Sequence, residues 1–203
     1  MDIERIKDQY SPIYVTVVSI FLGLALEDLL SVFRESDKSD IVIWLTSIVI
    51  AFLILNAWIA YASLAISVRL VPVPLDAVNV FVMALSIFAL NSLVGQPVYQ
   101  FCFAIAFFNL GAIAATRYNL SRSIKDPDSF LRPRGFWKLS MLNLLIFLIY
   151  LFLAYYSWQE KLSREMEIGV LILSVLPPLI WIILYWKIWS SQQKEARDAI
   201  IED

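Results

Sequence analysis

Histidine is absent from the sequence, and cysteine occurs once, at Cys102 in the apolar run QFCFAIAF. The first absence excludes Ser-His nucleophilic machinery, histidine-bearing zinc sites and the usual proton shuttle near neutral pH. The second excludes an intrachain disulfide; a lone thiol among apolar neighbours is most often inert packing. No Gly-rich phosphate loop, GxSxG elbow or TVGYG filter is present, so nucleotide hydrolysis through a phosphate loop, serine hydrolase chemistry and a potassium-type filter find no footing. No helix-length segment carries arginine at every third position, as a voltage sensor would. Neither an enzyme nor a bound cofactor or metal is expected.

Charge is scarce as well. Only 17% of the residues are charged, the net charge is −2, and no basic block suited to tracking phosphates occurs, which argues against nucleic acid as a partner. The first residues, MDIERIKDQYS, are of mixed charge and lead into an apolar run with no small-residue cleavage site. That run is expected to be a retained helix rather than a signal peptide.

What is present in abundance is apolar surface. Hydrophobic residues make up 60% of the 203-residue chain and mean hydropathy is +0.73, against roughly 45–50% apolar in a soluble domain. Six runs are long enough to cross a bilayer: 12–33, 41–68, 75–94, 98–116, 136–158 and 168–189. The expected fold is an all-α integral membrane protein without a soluble domain. Residues 1–11 form an N-terminal segment, 12–189 the six-helix membrane domain and 190–203 a tail. Pro12 suits the first turn of helix 1, GQP at 95–97 reads as a tight turn, and Pro177-Pro178 should kink helix 6 and free carbonyls, either as a static bend packed against neighbours or as a hinge with carbonyls lining a cavity. With six spans, 12 of the 16 Lys and Arg fall on the side of the termini and 4 on the other, which places both termini in the cytoplasm. Trp44, Trp137, Trp158, Trp186 and Trp189 lie near helix ends, as interfacial aromatics do. The expected location is the cell or plasma membrane, with the lipid bilayer as the first partner.

The polar positions inside these runs are the candidate site. In helix 1, Thr16, Ser19, Gly23, Glu27, Ser31 and Arg34 recur at steps of three or four and share an arc of about 120°, whereas Asp28 points about 100° away. Glu27 lies roughly 7 Å from the midplane, where translocon scales put a charge at about 2.5–3.5 kcal/mol. The stripe should therefore face protein or an aqueous path. One account is a packing seam in which Arg34 folds back on Glu27; a second makes it the wall of an ion path; in a third, helix 1 ends before Glu27. Helix 2 offers Asn56, Ala60, Ser63 and Ser67 on one face. Helix 3 offers Asp76, Asn79, Met83 and Ser86, with Asp76 suited to an N-terminal cap. Asn91 and Asn109 stand as single amides, and helix 4 carries a small-residue seam of Gln100, Ala104, Gly111 and Ala115.

The six-span layout at about this length resembles the small bacterial relatives of lysosomal potassium channels. Their Arg-x-x-x-Phe-Ser-Asp signature meets only Arg5, Tyr10, Ser11 and Pro12 here, one residue out of register and without the aspartate, so the resemblance implies architecture alone. The expected function is an oligomeric, channel-like path for ions, chiefly cations. Glu27 would attract ions at its mouth, Thr16, Ser19, Gly23 and Asn56 would line it, and Arg34 would moderate Glu27. Two alternatives stand beside it. The first is a non-transporting effector recruited through the basic 117–138 segment by anionic lipid or a cytoplasmic protein. The second is a small-solute transporter using a pocket near Asn56 and the Pro177-Pro178 bend.

Overall fold

Hydrocarbon offers backbone groups no water, so apolar runs of this length close their hydrogen bonds internally as helices. The computed structural model describes residues 3–67, 73–123 and 133–202. Among them every element is helical: α1 (Ile3–Glu35), α2 (Ile41–Ser67), α3 (Pro74–Asn91), α4 (Val98–Ser123), α5 (Pro133–Trp158), α6 (Arg164–Leu173) and α7 (Leu176–Glu202). Six stretches are long and apolar enough to cross a membrane, the sixth being α6 and α7 together. The chain is a multi-pass membrane protein.

Several helices outrun the apolar segments that seeded them. The 33-residue α1 starts at Ile3, so Pro12 stands inside it rather than in its first turn. Residues 3–11 contain no helix breaker, and Pro12 forfeits one backbone bond without ending the helix. The basic segment 117–138 is likewise helical where it is described, α4 running on to Ser123 and α5 opening at Pro133; residues 124–132 lie outside the described residues, as do Arg69 and Pro72. In the opposite direction, α3 stops at Asn91, and Ser92 to Val94 form turns leading to Gly95. Gly95 adopts φ +75°, and a Cβ there would lie 3.3 Å from Ile43 Cγ1.

The last span is broken rather than bent. Its first helix ends at Leu173, capped by Ser174, and the second begins at Leu176. Pro177 and Pro178 thus occupy the opening turn of α7, where their missing N–H groups would have no helical acceptor anyway.

Contacts near the helix ends fix an up-and-down order. Ser11 Oγ donates to the Ala65 carbonyl, tying the start of α1 to the end of α2. The Tyr118 hydroxyl of α4 donates to Asp76 Oδ1 at the start of α3, 2.9 Å away, and Asp76 Oδ2 accepts the Val73 N–H at 2.9 Å as a helix cap. These contacts mark the end of the bundle that carries residues 11, 65, 76 and 118, called here the terminal end. At the turn end, Ser157 Oγ donates to Glu167 Oε1 at 2.6 Å, and Arg164 pairs with Asp40 at 3.3 Å.

Side-by-side contacts run α2–α3–α4–α5–α7 and back from α7 to α2, with α6 also on α2. These helices form a ring. Helix α1 lies outside it, against α2 and α3, and buries Tyr14, Val18, Leu22, Ala25 and Leu29 at helical spacing. Cys102 is buried in the wall of the ring with Phe101, Ile105 and Ala106.

Candidate functional site

The ring encloses a cavity of about 140 Å³. That is close to the ~150 Å³ of an engineered apolar cavity known to hold benzene, enough for about six non-hydrogen atoms. Its walls are unlike that apolar case. Four asparagines line it, one from each of four helices: Asn56 (α2), Asn79 (α3), Asn109 (α4) and Asn143 (α5). At 1.5 Å per residue each lies within about 6 Å of the midpoint of its span. They form one polar layer near the middle of the hydrocarbon. Tyr61, Tyr150 and Ser174 add hydroxyls, and no Asp, Glu, Lys or Arg is among the lining residues.

Small and broken elements make the space. Ala57, Ala60, Gly111, Ala112 and Ala115 keep side-chain bulk out of it, and the α6–α7 break presents Ser174, Pro177 and Pro178 to it. Asn56 Nδ2 donates to the Pro178 carbonyl at 3.2 Å, and Asn109 Nδ2 donates to Ile105 within its own helix at 2.9 Å. Three amide atoms are left over. Asn56 Oδ1, Asn79 Nδ2 and Asn143 Nδ2 are buried and have no hydrogen-bond partner among the described residues. Leaving a buried polar group unpaired costs about 1–3 kcal/mol. One acceptor and two donors on these lining side chains are thus left unsatisfied among the described residues.

The residues expected from the sequence divide into two places. Asn56, Pro177 and Pro178 line the cavity. Thr16, Gly23, Glu27 and Arg34 are exposed on the outer side of α1, away from it. Thr16 Oγ1 donates back to the Pro12 carbonyl at 2.8 Å, and half-buried Ser19 accepts from Trp58 Nε1 at 3.1 Å. Glu27 has no hydrogen bond or ion pair among the described residues, and Arg34 does not fold back onto it. The carboxylate of helix 1 that meets the protein is Asp28, which accepts from Asn91 Nδ2 at 2.8 Å; the same nitrogen reaches the Ala25 carbonyl at 2.8 Å.

Asn143, Tyr150, Ser174 and Trp181 are cavity residues that the sequence reading does not single out. Ser140, Asn143 and Tyr150 share one face of α5 at helical spacing, and that was the available signal. Ser174 joins the site only because the sixth span breaks beside it. Among the described residues, no group of three His, Cys, Asp or Glu side chains is placed to hold a metal ion. Neither protein-family models nor curated proteins nor solved structures gave a match to this chain.

Proposed function

We propose that this multi-pass membrane protein binds a small uncharged molecule in the asparagine-lined cavity of a single protomer and carries it through the bilayer. One observation carries the reading: three of the asparagines that line one cavity near the membrane midplane each hold a buried amide atom with no hydrogen-bond partner among the described residues. A molecule offering a donor and an acceptor within about six heavy atoms satisfies them; an ion would meet no opposite charge there. The α6–α7 break supplies the joint about which the closing arc of the ring moves, with Pro177 and Pro178 as its hinge.

Uptake into proteoliposomes tests this. Urea, acetamide and glycerol are offered as radiolabelled probes, and at least one is expected to enter saturably. Asn143→Leu should lower that uptake at least tenfold while leaving the protein monodisperse. Uptake of all three equal to that of protein-free liposomes would overturn the reading.

A second reading is favoured by the outward face of α1. Glu27 stands exposed, without a partner among the described residues, six residues or about 9 Å from Phe33, whose ring packs on the exposed Trp44. A second copy covering this face would place Thr16, Ser19 and Glu27 along a path between protomers for cations. Planar-bilayer recording checks it: Glu27→Gln should lower cation conductance, and silent bilayers with the wild-type protein would remove the path.

A further inference from the structure

The cavity wall has one thin place. Of all the cavity-lining residues, two are exposed on the outside of the bundle: Val82 of α3, at 54%, and Gly111 of α4. One stands on each of the two helices of the α3–α4 seam. Helices α3 and α4 are held together at the terminal end by Tyr118–Asp76 and at the turn end by the short 92–97 connection. Between these two fastenings they touch sparingly, whereas α4 and α5 pack closely along their length. At Gly111 a Cβ would meet nothing within 4 Å, so the α4 side of the seam is open space. Half-buried Ser86 turns its hydroxyl back to the Val82 carbonyl at 2.8 Å and puts no donor into the opening. The opening is apolar, it sits at membrane depth, and the cavity it leads to is lined by Asn79 and Asn143, each with a buried amide nitrogen that has no partner among the described residues.

We infer that the cavity is loaded sideways from the bilayer through the α3–α4 seam, and that its occupant is an amphiphile. An uncharged polar head, a primary amide or a hydroxyl, sits among the asparagines, and an apolar tail passes between Val82 and Gly111 into the lipid. This deepens the reading of the cavity as a solute site and rests on it. The cavity is too small for a whole lipid, but a seam open to acyl chains lets the tail remain where it is already solvated. Only the head then leaves the interface, and the asparagine amides replace the water it gives up.

Photolabelling in lipid nanodiscs tests the inference with two probes of one head group: a hexadecanamide and a butanamide, each with a diazirine beside the carbonyl. The expected result is that the hexadecanamide labels Met83, Asn143 or their neighbours. Gly111→Trp, whose side chain enters open space, should reduce that labelling at least tenfold. Leu110→Trp, on the outer face of α4 and away from the cavity, should leave it unchanged. Hexadecanamide labelling that survives Gly111→Trp would overturn loading through the seam. Cavity labelling by butanamide alone would overturn the amphiphile while leaving the solute site standing. No cavity labelling by either probe would overturn both.

Discussion

The outer face of α1 and the inside of the α2–α7 ring are two polar regions of a largely apolar bundle, and they are polar in opposite ways. The α1 face holds formal charges, Glu27 and Arg34, in exposed positions without bonds to the rest of the described protomer. The cavity inside the ring is lined by four asparagines and no Asp, Glu, Lys or Arg, and three of these amides hold a buried atom without a partner among the described residues. The difference follows from what closure permits. A carboxylate sealed in a cavity needs an opposite charge and several hydrogen bonds to offset desolvation. An amide needs only hydrogen bonds, and it carries both a donor and an acceptor. Charge marks the place in the sequence where membrane burial is most costly; the place best fitted to hold a molecule is where neutral groups converge.

Exchanging the two kinds of polarity should break the contrast most sharply. Asn143→Asp, which puts a carboxyl into the ring, is expected to cost about 3 kcal/mol or more at neutral pH, read as a loss of thermal stability in detergent. Glu27→Gln, by contrast, should change stability by less than about 0.5 kcal/mol.

The two neighbouring carboxylates of α1 give the next largest effect. Asp28→Leu removes an acceptor from the fully buried Asn91 and should cost about 1–3 kcal/mol. An equal effect at Glu27 would erase the distinction drawn between them. Asn56→Leu removes the amide bond that fastens α2 to the start of α7; interhelical bonds of this kind in membranes are worth about 0.6 kcal/mol and at most about 1.7. Another small change is expected outside both regions. Glu160 closes α5 with φ 54°, and Lys161 N–H reaches back to the Tyr156 carbonyl at 3.2 Å. Glu160→Gly should stabilise by about 0.5 kcal/mol, the relief of left-handed strain less the entropy that glycine adds to the unfolded chain. It should leave probe binding untouched.

The spans were legible because long apolar runs and Pro–Gly punctuation carry local meaning. Val98 and Trp158 bound helices in the reading and in the structure alike. The helical extensions at residues 3–11, 117–123 and 133–135 were not, since hydropathy reads a polar helix beyond the lipid as a loop. Periodicity found the polar stripe of α1 but could not say which way it points. That depends on the competing face of Tyr14, Val18, Leu22, Ala25 and Leu29, which fits the groove between α2 and α3. A pocket near Asn56 and the diproline is one of the alternatives the sequence offers. Asn79 and Asn109 were visible only as members of separate helices, and Asn143 not at all, because four weak signals become one site only when the helices take their rotations.

The return contact from α7 to α2 joins elements more than a hundred residues apart. During synthesis the first five spans therefore reach the membrane as an open arc, its amide-bearing side turned towards lipid or towards whatever attends the nascent chain. The pocket comes into being with the arrival of the broken sixth span, so a ribosome halted after residue 158 would hold every asparagine of the layer and no chamber for them to line.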